Sequence, residues 1–407
     1  MQIAARVLQT PPYPFAELAR IKREMLAQGA DLIDLGIGDP DRPTPPHIVE
    51  ALCRAAHDPR THQYDETGAG LPAFREAIAR WYENRFGVRL DPDQEILRLI
   101  GSKEGLAHMF WSALNPGDVA LLPDPAYPVY KVNTNFAGGE PHIMPLLKAN
   151  GYLPDLKAIP AAVANRAKIM MLCYPNMPTA AVAERDFYQR VVAFAQKHDV
   201  LVCLDMAYSE IAFDGYRSQS LLQVPGAKEV AVEFHSLSKT YNMTGWRIGY
   251  AVGNPQALQA LGKLKSNLDS GAFLAIQEAA AAALAGPQDC VSQMMTIYQR
   301  RRDLLVEGLR KLGWPVEKPK ATFYVWMPTP KGRTSAEFAQ ALLSQAQVLV
   351  TPGGAYGGQG EGFIRMALTV QAADPEARIR EMLERIARAP DLKWDATRAS
   401  PSAKGRA

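Results

Sequence analysis

The chain has 407 residues and is 47% hydrophobic, enough for a large core and, by length, about two domains. Its 45 basic and 42 acidic residues are spread along the sequence and leave a net charge of +3, which is not the balance of a nucleic-acid-binding protein. No apolar run approaches the ~20 residues of a membrane span, and the N-terminus "MQIAARVLQTPPYPFAEL" carries no secretory pattern. Cys53, Cys173, Cys203 and Cys290 are far apart, without metal spacing, and read as reduced thiols of a cytoplasmic protein.

Taken in chain order, the first 40 residues hold little core of their own and are expected to pack on a smaller domain or on a partner. Thr44 before Pro45 reads as a helix cap. "DVALLP" (118–123), "AKIMMLCY" (167–174), "DVLVCLD" (199–205) and "EVAVEFHS" (229–236) are continuous apolar runs of buried strands. Between the second and third lies "RDFYQRVVAFAQKH", where Phe187, Val191, Phe194 and Ala195 keep helical spacing. This alternation predicts an α/β fold, a mostly parallel sheet flanked by helices. A helical pattern then runs from about Asp289 to Leu312; Arg300, Arg301 and Arg302 inside it read as a solvated face. "TFYVWMP", "AQVLVTP" and "GFIRMALT" are further strands, with helices near 335–345 and 375–388, the second capped by Asp374. The expected division is an N-terminal segment 1–40, a large domain 41–288, a smaller α+β domain 289–390 beginning with the long helix, and a flexible tail 391–407.

Ligands of open α/β sheets sit beyond the carboxyl ends of the strands. Asp124 and Tyr127 follow the first run, Asn176 the second, Asp205 and Tyr208 the third, and Ser236 to Lys239 the fourth. The last opens "SLSKTYNMTGWRIGY" (236–250), whose hydroxyls and Arg247 offer donors to an anion beside a lysine. A buried Asp at a strand end wants a cationic partner, a lysine beside a phosphate site wants a carbonyl, and Tyr127 can stack on a flat ring. Pyridoxal phosphate supplies all three: an aldehyde for Lys239, a pyridinium nitrogen for Asp205 and a phosphate for Ser236, Ser238 and Arg247.

"DLGIGDPD", "GLPAFREAIARWY", "GSKEG", "PDPAYPVY", "YPNMPTA", "DMAYSEI", "SLSKTYNMTGWRIGY" and "GEGFIRMALT" stand in the order of the fold-type I pyridoxal-phosphate aminotransferases, which the chain resembles over nearly its whole length. "GIGDPD", "IGSKEG" and "LKSNLDSGAF" look most like LL-diaminopimelate aminotransferase-type sequences. The resemblance implies that Lys239 attaches the cofactor and shuttles the proton. It implies that Asp205 pairs with the ring nitrogen, Tyr208 donates to the ring hydroxyl and Tyr127 stacks on the ring. Phosphate falls to Ser102, Lys103, Ser236, Ser238 and Arg247, and the substrate α-carboxylate to Arg365 and Gly38. Tyr64 is expected to reach the phosphate of a partner subunit in a homodimer with shared sites. There are two departures. Met177 stands where the family usually has an asparagine that donates to the ring hydroxyl, leaving the neighbouring Asn176 for cofactor or substrate contact. Tyr64 lies one residue further from Gly70 than the family pattern.

The implied reaction is transfer of an amino group from an amino acid to a 2-oxo acid such as 2-oxoglutarate, LL-diaminopimelate being a candidate donor. Aspartate, alanine or broad methionine and aromatic specificity, and a C–S β-lyase on the same scaffold, are the alternatives; a cofactor-sensing transcription regulator would need a DNA-binding domain ahead of this fold. Region 263–280 offers Lys263, Lys265, Asn267 and Asp269 to a far end of mixed charge, but no arginine. "GGAYGGQGEG" (353–362) lacks phosphate-loop spacing and reads as a mobile loop delivering Arg365. His62, His108, His198 and His235 read as packing or surface residues.

Overall fold

The computed structural model describes residues 2–66 and 68–394, so the expected tail lies outside the described residues from 395 on. Its strands, in chain order, are β1 (Ile33–Asp34), β2 (Ile96–Leu99), β3 (Val119–Asp124), β4 (Glu140–Pro145), β5 (Ala167–Cys173), β6 (Leu201–Asp205), β7 (Ala231–Ser236), β8 (Gly249–Gly253), β9 (Tyr324–Pro328), β10 (Val348–Leu349), β11 (Thr351–Pro352) and β12 (Phe363–Ala367). Seven of them form one sheet in the order β2-β8-β7-β6-β5-β3-β4. β3 to β7 run parallel, and β8 lies antiparallel between β7 and β2. The central strands are apolar on both faces because helices cover both. Phe187, Val191 and Ala195 of the helix Arg185–His198 pack on one of them.

A second core surrounds the antiparallel order β11-β12-β9 and the parallel pair β1–β10. The long helix Asp289–Lys311 and the helices Ser335–Ala346 and Pro375–Arg388 close over it. Asp374 caps the last by accepting the Ala377 amide at 2.9 Å. Thr44 is no cap: its hydroxyl donates to the Asn242 carbonyl at 2.8 Å, and the helix starts at Pro46. The N-terminal helix Pro14–Ala27 lays Leu18 against Leu343 and Leu349.

The arginine run is not a solvated face. Only Arg300 is exposed; Arg301 and Arg302 are fully buried. Arg301 holds Asp41 by two bonds of 2.8 Å and the Leu368 carbonyl at 3.0 Å. Arg302 holds Asp214 at 2.7 and 3.0 Å and the Pro319 carbonyl at 3.0 Å. A planar fork that meets a carboxylate with both prongs can be taken out of water where an unpaired cation cannot. The glycine loop 353–362 is likewise tied down. The Asp124 carboxylate accepts the Gly358 amide at 3.0 Å and the Gln359 amide at 2.9 Å, and the Ala126 amide donates to Tyr356. Gly357 has φ +132°, and a side chain there would overlap that carboxylate.

Candidate active site

Where the strands β5, β6 and β7 end against the second core, they leave a cavity of about 510 Å³. Lys239, Asp205, Tyr208, Tyr127, Ser102, Lys103, Ser236, Ser238, Arg247, Gly38 and Arg365 all line it.

β7 ends at Ser236, whose hydroxyl accepts the Ser238 amide at 3.2 Å and starts the single turn Leu237–Thr240 that carries Lys239. The Lys239 amine donates to the Gly38 carbonyl at 3.0 Å. Burial, with repulsion from Arg365 and Arg247 against the pull of Asp39, lowers its pKa from 10.5 to about 8. Asp205 ends β6 and is buried; the Tyr130 hydroxyl donates to it at 2.8 Å and the Ala207 amide at 3.2 Å. Burial raises its pKa, against the opposing pull of the two neutral donors and, last, of His235. Among the described residues, a carboxylate so held has no positive partner at bonding distance.

Opposite stands a basic corner. Gly101, with φ +76°, leads into the helix Ser102–Ala113. Any side chain at Gly101 would overlap the Arg247 guanidinium, so glycine is what lets that helix start meet the arginine. Arg247 itself is held in a left-handed conformation, φ +54°, and donates to the Thr244 carbonyl at 2.9 Å. The Ser238 hydroxyl is buried and has no partner among the described residues. Free hydroxyls, a guanidinium and helix amides at one corner form an anion site.

On the far side Arg365, 1% exposed, donates to the Gly36 carbonyl at 2.6 Å and lies 4.1 Å above the centre of the Tyr324 ring. Its Nε has no partner among the described residues. A buried guanidinium with a free donor suits a carboxylate brought in from outside.

Two candidates are not brought to the cavity. Asn176 closes its own turn: it donates to the Cys173 carbonyl at 3.1 Å and accepts the Thr179 amide at 3.0 Å and hydroxyl at 2.7 Å. Tyr64 is 78% exposed. Nor do Lys263, Lys265, Asn267 and Asp269 line the cavity of their own chain; Lys265 is buried between Glu104 at 2.7 Å and Asp269 at 3.0 Å.

Sequence reasoning passed over Tyr13, Phe15, Asp39, Tyr130, Cys173 and Tyr324. Tyr13 arrives from the N-terminal segment, its hydroxyl 3.2 Å from that of Tyr127 and its ring 4.5 Å from the Lys103 amine. Nothing local announces that approach. Tyr130 had a signal in its place after the same strand end: it stands three residues beyond Tyr127, in the first turn of the helix Val129–Phe136.

The residues present fit pyridoxal phosphate. A partnerless Ser238 hydroxyl and Arg247 suit its phosphate, an unpaired buried Asp205 suits a protonated ring nitrogen, and an amine lowered to about 8 suits an aldehyde. The Aminotransferase class I and II family matches residues 30–386. The LL-diaminopimelate aminotransferase of Syntrophobacter fumaroxidans is 57% identical over 383 residues, spanning 94% of this chain and 97% of that protein. The enzyme of the same name from Moorella thermoacetica is 54% identical, spanning 95% and 98%. The solved structure of substrate-bound BacF from Bacillus subtilis matches with a TM-score of 0.91 at 40% identity, covering 95% of this chain and 97% of that one. The chain belongs to the class I and II aminotransferases, and it is an enzyme that transfers amino groups with pyridoxal phosphate as its cofactor.

Proposed function

We propose that this transaminase takes LL-diaminopimelate as amino donor and 2-oxoglutarate as acceptor, as a cytoplasmic homodimer. The observation that carries the substrate is that relatives more than half identical over nearly the whole chain are LL-diaminopimelate aminotransferases.

When bound, the cofactor supplies a carbonyl for the amino group and a ring that takes up the electron pair left at the substrate Cα. Lys239 would hold it and would move the Cα proton. An amine with a pKa of about 8 is part neutral near pH 7.5, so Nζ can take that proton and hand it on. Asp205 holds a proton on the ring nitrogen; its own burial makes a positive partner favourable there. Tyr130 orients Asp205 through the 2.8 Å bond. Ser102, Lys103, Ser236, Ser238 and Arg247 bind the phosphate, Tyr127 stacks on the ring, and Tyr208 donates to the ring hydroxyl. Arg365 takes the α-carboxylate through its free edge, with Gly38 alongside.

With the α end fixed, the distal end sets specificity. A second copy supplies it: segment 263–280 of one subunit faces the cavity of the other, where Asp269 meets the amine of the far end and Asn267 with the nearby lysines meets its carboxylate. Exposed Leu268 and Phe273 on that segment, and Ile3, Val7 and Leu8 at the N-terminus, provide apolar surface for such a contact. Tyr64, exposed in its own chain, reaches the partner's phosphate site.

The test compares kcat/KM for LL-diaminopimelate, aspartate, alanine and methionine with 2-oxoglutarate as acceptor. LL-diaminopimelate is expected to lead. If it turns over no faster than the best of the others, the substrate assignment falls and the transaminase stands.

A further inference from the structure

Tyr324 touches more of this site than any role so far accounts for. It lines the cavity and is buried. Its ring lies beneath the Arg365 guanidinium, 4.1 Å from cation to ring centre. Its hydroxyl is 3.0 Å from that of Tyr208. A side chain on Gly38 would overlap its oxygen, so Tyr324 also abuts the peptide whose carbonyl holds Lys239.

The scaffold fixes this contact. Tyr208 leads into a segment bonded to the start of β9: the Thr322 amide donates to Ile211 at 2.8 Å and the Phe213 amide to Lys320 at 2.9 Å. The Thr322 hydroxyl accepts the Tyr324 amide at 3.1 Å. The two phenols therefore meet across a clamped pair of chain segments.

Each phenol has one proton, so the direction of the bond decides what Tyr208 can do. If Tyr208 donates to Tyr324, it has nothing left to give. If Tyr324 donates to Tyr208, the Tyr208 proton is free to point into the cavity, and its O–H is polarised by the bond it accepts. The cation over the Tyr324 ring favours the second direction, because it draws electron density from that phenol and makes it the better donor. Burial pushes both phenols up, and Arg365 heads the influences opposing that rise at Tyr324. Arg365, Tyr208, Cys173 and Asp39 are the charged or titratable groups that act on this hydroxyl, with the phenols of Tyr127, Tyr298 and Tyr356 beyond.

We infer that Tyr324 is a positioning residue that couples the two ends of the site: its ring seats Arg365, and its hydroxyl, donating to Tyr208, turns the Tyr208 proton toward the cofactor's ring oxygen. This rests on the roles proposed above for Tyr208 and Arg365. It gives Tyr324 two separable parts, a ring that serves substrate binding and a hydroxyl that serves the cofactor.

The test uses the cofactor-loaded protein and two readouts other than turnover: the pH midpoint of the visible absorption band, and the dissociation constant of 2-oxoglutarate. A donor at the ring oxygen stabilises the anionic form that the chromophore takes on losing its proton, so a weaker donor raises the midpoint. Tyr324→Phe is expected to raise it by about half a pH unit and to leave 2-oxoglutarate affinity within about twofold, since the ring stays. Tyr324→Leu is expected to weaken 2-oxoglutarate about tenfold as well. In a Tyr208→Phe background, the Tyr324→Phe shift should vanish. A Tyr324→Phe shift that is absent, or equal in both backgrounds, overturns the coupling. A Tyr208→Phe variant with the wild-type midpoint overturns instead the role given to Tyr208, and the coupling with it.

Discussion

Among the places where this molecule buries charge, two do it in opposite ways. Under the long helix, Arg301 and Arg302 each grip a carboxylate with two bonds and a carbonyl with a third. In the cavity, among the described residues, Asp205 has two neutral donors and no cation, the Lys239 amine has a carbonyl, and Arg365 keeps a donor free. In the first arrangement each buried cation meets its counter-charge within the chain, and the Arg301 Nε alone of these two guanidiniums is left without a partner among the described residues. The second is complete only when something binds. Buried charge in the one holds the fold together; in the other it costs stability that the ligand offsets.

Removing one partner from the complete arrangement should have the largest effect on stability. Arg301→Met leaves the Asp41 carboxylate buried and unpaired, and is expected to lower unfolding free energy by about 3–5 kcal/mol. Urea denaturation measures it, and adding Asp41→Asn should restore part of the loss. A loss below about 1 kcal/mol would erase the contrast.

The cavity should behave in reverse. Folding lowers the Lys239 pKa from 10.5 to about 8, so below pH 8 the unfolded chain holds the charge more comfortably than the folded one. That cost is present in full below about pH 8 and disappears as pH rises from 8 through 10.5, where both states become neutral. Lys239→Met is therefore expected to stabilise the cofactor-free protein by about 3 kcal/mol at pH 7, a gain that closes by pH 10.5. A destabilised variant at pH 7 would mean that Lys239 belongs with the complete arrangement.

Asp205 sharpens the point in the same direction. Its pKa is raised on folding, so the stability linked to its acid form is present below pH 3.8 and lost as pH rises through the folded value. At neutral pH, Asp205→Asn should leave the cofactor-free protein as stable or more so. It should weaken cofactor binding by about 1.5–3 kcal/mol, read by fluorescence titration.

The smallest effect belongs to Asp124, which stands between the two cases. It links β3 to the glycine loop ahead of Arg365 through two amide bonds. Asp124→Asn should cost about 1 kcal/mol in stability and speed hydrogen exchange at Gly358 and Gln359. Unchanged exchange there would remove the tie.

The contrast also marks what could be read from sequence. The buried parallel strands were legible because a short continuous apolar run between turn residues suits a strand covered on both faces. β6 and β7 end where "VLVCLD" and "EVAVEFHS" do. β4 was not: "EPHIMP" has two prolines and only Met144 buried, as befits an edge. β8, "GYAVG", is rich in glycine because a side chain at Gly249 would meet the His235 carbonyl. The cavity's polar residues stood out because strand-end placement in an α/β sheet is a rule about position, so Lys239, Asp205 and Arg247 could be picked out together. The complete pairs could not be. Asp41 lies 260 positions from Arg301, and Asp214 lies 88 from Arg302, so a run of arginines read alone looks solvated. Tyr324 was hidden for a related reason: β9 is buried on both faces, and its period gives no hint of which phenol meets an arginine.

Borohydride reduction of the cofactor-loaded protein, followed by peptide mapping, tests most directly that the incomplete cluster is the reacting one. The cofactor is expected to be fixed on the peptide carrying Lys239, and Lys239→Ala should bind it without fixation while losing turnover about a thousandfold or more. Fixation on any other lysine, or on none, would contradict the assignment of Lys239.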